Sequence, residues 1–267
     1  MIRLLKIDLA KLLSYRTFWV LIGIYFSILI LILISGMEFL KWLASKGAQF
    51  GEIDIMKIPL YHFPDIWQNL TYVAKFITLI AGILVVILTT NEFSYKTIRQ
   101  NVIDGLSRAD FITSKVLFIL GLSLVSALVV LFIGLLMGSI YSPQTEMHYM
   151  FQHIGFVPAF FLMTLNFLLF SMMLALVIKR AGLSIVLLLV YPLFEVIIRS
   201  MLPDPVDNVV NFFPFWAITN LVDFPFSRYA FQEIRDSVAI KDIIINLVYI
   251  PVLIGVSYKT IAQKNLS

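Results

Sequence analysis

The chain has 267 residues, 60% of them hydrophobic and 13% charged, with a mean hydropathy of +0.95 and a formal net charge of +4. Soluble domains carry about twice that share of charge, so the composition excludes a soluble globular protein and implies an all-α protein built for a bilayer. The pI near 9.2 does not point to nucleic acid, because the cations flank apolar stretches instead of lining a soluble face.

The elements follow in chain order. Residues 1–16 read as an imperfect amphipathic helix, with Ile2, Leu5, Leu9, Leu12 and Leu13 in one stripe and Lys6 and Lys11 off it, which predicts a helix lying in the membrane interface. About sixteen residues precede the first apolar run and no small-x-small cleavage site follows it, so the first span is expected to be retained. Six stretches approach the ~20 apolar residues that a crossing needs, predicting spans over about 17–35, 71–90, 112–140, 154–178, 181–199 and 242–258 of a single transmembrane domain, residues 1–267. Lys75 in the second and Asn246 and Pro251 in the sixth are the departures from apolar composition. Between the first two spans, Trp42, Tyr61, Phe63 and Trp67 suit the headgroup level, and Pro59 and Pro64 interrupt any helix. The loop at Lys179 and Arg180 is so short that its flanking spans form a tight hairpin. Residues 201–241 hold Pro203, Pro205, Pro214 and Pro225 among Phe212, Phe213, Phe215, Trp216, Phe224 and Phe226, which predicts a segment that dips into the lipid interface.

The most patterned polar stretch is Asn91 to Lys115, set between the second and third spans. Tyr95, Ile98, Val102 and Leu106 recur at helical spacing, with Thr97, Gln100, Asn101 and Asp104 opposite them. Gly105 supplies a helix stop, and Ser107 with Asp110 three residues later forms a capping-box start for the next helix. A lipid surface asks only for cations, whereas the mixed donors and acceptors of this polar face suit a protein contact. A helix resting on the membrane is the plainer alternative.

Twelve of the 20 Lys and Arg residues fall in short segments on one side: the N-terminus, the loops at 91–115 and 179–180, and the C-terminus. The positive-inside rule makes that side cytoplasmic, with both termini.

Other motifs are weighed by what their chemistry needs. No glycine precedes a lysine, so the chain lacks a phosphate-binding loop, and any ATP-driven action has to come from a partner. His62, His148 and His153 sit in outer loops without metal-ligand spacing, so no metal site, no catalytic residue and no enzyme activity of its own are expected. Glu195 lies within an apolar stretch, where an acid is functional by default; Arg199, one turn later, makes a structural pair the equal alternative. Gly134 and Gly138 form a GxxxG, which brings helices close either within the chain or between subunits.

Glu92, Tyr95, Lys96, Thr97, Ile98 and Arg99, then Asp104, Gly105, Ser107, Arg108, Phe111 and Lys115, resemble the cytoplasmic segment after the second span in permeases of the second ABC exporter class (ABC-2 type). The basic start, with Lys6, Asp8, Lys11 and Arg16, is similar to that family's interfacial elbow helix. Lys96 departs from the pattern, since many members have glycine before the threonine. The resemblance implies a homodimer or heterodimer of permease subunits in membrane lipid of a bacterial cytoplasmic membrane. It also implies a separate ABC ATPase subunit, holding ATP and Mg, docked on a coupling helix at 92–106. Glu92, Tyr95, Lys96, Thr97, Arg99, Gln100, Asn101, Asp104 and Arg108 would then form the coupling contact. Rival classes are a membrane-embedded enzyme, an ion-coupled secondary transporter and a non-transporting membrane anchor or sensor. The first would show acids or histidines converging on adjacent spans, and the second inverted repeats with midplane charges.

Overall fold

The computed structural model describes residues 15–46, 59–95, 107–202, 207–226 and 235–263. Most of the expected interfacial helix at 1–16, and the core of the island at 96–106, lie outside them. Among the described residues the structure is all-helical, with six helices long and apolar enough to cross a membrane. These are α1 (Arg16–Ser45), α2 (Ile66–Ser94), α3 (Arg108–Tyr141), α5 (Phe156–Ile178), α6 (Ala181–Met201) and α9 (Ile240–Gln263). Three short helices, α4 (Met147–Met150), α7 (Asp207–Val210) and α8 (Pro214–Thr219), lie in the connections.

The bundle is organised around α5, which packs against α1-adjacent α2, against α3, α6 and α9, and also against α8. Its sequence explains that position. Ala159, Phe160, Met163, Leu168, Leu169, Met172 and Ala175 point in different directions around the helix and all are buried, the pattern of a helix that is apolar on every face. By contrast α1 and α6 turn most of their side chains outward, with Val20, Leu31, Leu183, Val186, Leu193 and Val196 exposed on the protein surface. In lipid these contacts are with acyl chains, so exposure there is the ordinary state of a span.

Several buried hydroxyls are satisfied within their own helices, whereas those of Thr164 and Ser257 are buried without a hydrogen-bond partner among the described residues. Thr78, Thr90, Ser123 and Ser171 each donate to the carbonyl four residues back. Other polar links cross between spans. Tyr25 donates to Ser126 Oγ at 2.8 Å, joining α1 to α3, and Asn166 Nδ2 donates to Asn246 Oδ1 at 3.1 Å, joining α5 to α9.

Several spans are longer than their apolar stretches. At a rise of 1.5 Å per residue, α1, α2 and α3 run to about 45, 44 and 51 Å, against a hydrocarbon core of about 30 Å. The expected loop after residue 35 begins instead as ten more residues of α1, and α2 starts at Ile66, five residues before the expected position. Hydropathy marks where lipid contact ends, not where a helix ends. Met37, Glu38, Leu40, Lys41 and Ala44 are good helix formers, Lys41 pairs with Glu38 at 2.6 Å, and Phe39 stacks on Trp42. Gly36 leaves room beside it for the Tyr61 hydroxyl, which accepts from Gly36 N at 2.8 Å and donates to Leu33 O at 2.6 Å.

Candidate functional site

The ends of five spans gather where the polar island leaves the bundle. Glu92 in the last turn of α2 meets Lys115 in the second turn of α3, Oε1 to Nζ at 2.9 Å, with only 14% and 6% of the two side chains exposed. Beside this pair, the Lys115 ammonium lies 5.5 Å from the Phe111 ring centroid. The Lys179 ammonium, from the turn after α5, sits 5.0 Å from the ring of Phe93. Asn91 Nδ2 donates to the Tyr15 hydroxyl at 3.0 Å, bringing in the start of α1. Arg108 Nη1 donates to the carbonyls of Ile261 and Ala262 at 3.2 and 2.6 Å. Those carbonyls belong to the last turn of α9, which has no intrahelical donors and favours a cation.

Local sequence builds this end. Ser107 is the N-cap of α3: its hydroxyl accepts from Asp110 N at 3.1 Å, and Asp110 Oδ2 accepts from Ser107 N, also at 3.1 Å. This is the reciprocal capping box expected from the spacing. Lys179 ends α5 in the left-handed region at φ 61°, a turn tight enough for α6 to begin two residues later. Of the residues expected to make the coupling contact, Glu92, Tyr95 and Arg108 are placed: Glu92 turns inward to Lys115, Arg108 turns to α9, and Tyr95 caps α2 with its side chain exposed. Lys96, Thr97, Arg99, Gln100, Asn101 and Asp104 lie outside the described residues.

At the opposite end, the aromatic segment folds back among the spans, and three side chains from three different spans hold it. The Glu195 carboxylate accepts from the backbone N–H groups of Phe215 and Trp216 at 2.9 and 2.7 Å, at the start of α8. Asn246 Nδ2 donates to Ala217 O at 2.8 Å, and Lys75 Nζ donates to Val222 O at 3.0 Å, just past its end. The order of charges, acid at the start and cation at the end, matches the direction of the peptide dipoles. Arg199 lies over the Trp216 ring at 4.2 Å, so Glu195 and Arg199 both act on Trp216 at the start of α8. Ala217, Ile218, Leu221 and Val222 are buried beneath them.

Next to these anchors, Arg235 Nη1 stands 3.5 Å from Asp223 and 3.2 Å from Asp242. Burial raises the pKa of Asp223 above the ordinary carboxylate value, while Arg235 acts in the other direction. A cavity of about 380 Å3 opens between α2, α5, α6 and α8, with Lys75 in its wall.

Gly134 faces Trp67 at the start of α2, and Gly138 faces Phe63 in the segment just before it. A Cβ on Gly134 would stand 2.6 Å from Trp67 Cζ3, and one on Gly138 would stand 2.2 Å from Phe63 Cζ. Trp67 is further held by donating from Nε1 to Met150 O at 2.6 Å.

Sequence reasoning did not single out Lys75, Asn246 or Asn166 as site residues, although Lys75 and Asn246 stood out as polar interruptions of spans. A charge or amide in an apolar run needs a partner, and that was the signal; the partners lie 147, 29 and 80 positions away. Comparison with known proteins finds no matching family model and no matching curated protein.

Proposed function

We propose that this chain is the transmembrane subunit of an ATP-binding cassette exporter of the ABC-2 type. In this reading it lies in a bacterial cytoplasmic membrane with both termini cytoplasmic, pairs with a second permease subunit, and is driven by a separate ATPase that holds the ATP and Mg. The ATPase docks on residues 92–106, whose polar face runs from Thr97 to Asp104.

The observation that best supports this is the buried Glu92–Lys115 pair at the base of the island, 2.9 Å between charges. A loop that only connects two spans has no need of it. Together with Arg108 on the end of α9 and Lys179 on Phe93, it ties the two helix ends that carry the island to each other and to α5 and α9. A push or pull on the island is then delivered to a joined set of helix ends, which is what biasing a two-state bundle from outside requires.

The test is a double substitution on the polar face, Thr97→Arg with Asp104→Arg. It should abolish co-purification of the ATPase while the spans remain inserted in the membrane. An ATPase that still co-purifies with the double variant overturns the coupling assignment.

A further inference from the structure

The cavity beside Lys75 carries an inference independent of any motor. Its wall is made by Tyr72, Phe76 and Leu79 of α2, Met163 of α5, Leu188 and Leu189 of α6 and Ile218 of α8, among others, and it encloses about 380 Å3. That is within the range of small-molecule sites. Phe76 and Leu189 line it and are also exposed on the outer surface of the bundle, so its mouth opens sideways between α2 and α6, toward lipid rather than toward water.

Pro192 is also in the wall. Its ring has no N–H and cannot close the usual bond to Leu188 O. The other walls are mostly apolar and carry one cation, and the hydroxyls of Thr78 and Thr219 donate to carbonyls of their own helices. Lys75 is held on the cavity side of α8 by Val222 O at 3.0 Å and by the Tyr72 ring at 4.1 Å from its centroid. An ammonium has three donors, and the carbonyl takes one of them. Of the two nearby acids, Glu195 serves the N–H groups of Phe215 and Trp216, while Asp223 pairs with Arg235 at 3.5 Å and also attracts the Lys75 ammonium from outside the cavity. Neither lines the cavity.

We propose that this cavity binds a single-chain amphipathic anion that enters from the bilayer, its apolar body lying between α2, α5 and α6 and its phosphate or carboxylate headgroup meeting Lys75. A neutral or zwitterionic amphiphile gains the same apolar burial but not the charge-assisted hydrogen bond, and a cation is repelled. Because Lys75 also holds Val222, an anion that draws the ammonium into the cavity loosens the end of the segment that α8 begins. Occupancy is thereby linked to the position of that segment.

The experiment uses the full chain in phosphatidylcholine nanodiscs and a dodecyl phosphate bearing a diazirine in its tail, with the corresponding diazirine dodecanol as the neutral counterpart. Photolabelled residues are mapped by mass spectrometry. The phosphate probe should label the wall around Leu79, Met163 and Leu188, and Lys75→Gln should cut that labelling by about tenfold, as loss of a charge-assisted hydrogen bond predicts. Lys75→Arg, which keeps the charge and the tie to Val222, should retain it. Leu189→Trp, at the lipid-facing mouth where a larger side chain has room, should reduce labelling by both probes. Equal labelling by phosphate and alcohol, undiminished labelling in Lys75→Gln, or no label on the wall of the wild-type chain would overturn the proposal.

Discussion

Glu92 and Lys115 are 23 positions apart in sequence, yet their charges meet at 2.9 Å and close the base of the polar island. Desolvating two charges is expensive, and removing one partner leaves the other buried and unpaired. Glu92→Gln or Lys115→Met alone should therefore lower stability by about 3 kcal/mol, and the double variant should lose much less than the sum. Thermal unfolding in detergent, read as a double-mutant cycle, checks this. Additive losses would mean that the pair does not hold the island's base.

Glu195 and Arg199 both act on the start of α8, but by contacts of different strength. The carboxylate serves two backbone donors, and each donor left unsatisfied costs about 1–3 kcal/mol. The guanidinium lies over a ring, a contact of about 1 kcal/mol. Glu195→Ala should thus raise hydrogen exchange at Phe215 and Trp216 well beyond the effect of Arg199→Ala. The reverse order would show that Arg199 is the principal anchor.

What the sequence made legible here was local. The capping box at Ser107 and Asp110 follows from a spacing of three, and the six spans follow from apolar runs whose ends need no knowledge of the fold. The helical extension past Gly36 was hidden because hydropathy falls there while helix propensity does not. The space that Gly36 leaves is filled by Tyr61, 25 positions on. Glu195 was visible as an intramembrane acid, and periodicity reaches only residues of its own helix, Tyr191 and Arg199, one turn to either side. The backbone of residues 215 and 216 is a partner that only a chain folded back on itself can supply. The same holds for Lys75, whose charge was plain and whose acceptor, Val222, was not.

Gly134 and Gly138 make room for the rings of Trp67 and Phe63. Gly138→Ala puts a methyl group 2.2 Å from Phe63 Cζ, so the ring has to move, at a cost of about 1–3 kcal/mol for overpacking. Phe63→Leu should recover part of the loss when combined with Gly138→Ala, since the shortened side chain vacates that space. The midpoint of thermal unfolding reads both effects. A Gly138→Ala variant that keeps full stability but changes oligomeric state would instead place this stripe at a subunit contact.

His153 provides a pH dependence of definite sign. It lies outside the spans, just before α5, with Nδ1 buried and 3.7 Å from Asp65 Oδ1. Burial lowers its pKa from the usual 6.5, against the pull of Asp236 in the other direction. A histidine with a depressed folded-state pKa contributes stability that is fully present above its unfolded value of about 6.5 and is lost as pH falls through the folded value. Unfolding midpoints of the wild-type chain should therefore decline on acidification below about pH 6.5. His153→Gln, which cannot take up the proton, should flatten that part of the profile while leaving the neutral-pH value nearly unchanged. An identical acid limb in the variant would assign the decline to Asp223 instead, whose pKa burial raises and whose protonation weakens its 3.5 Å contact with Arg235.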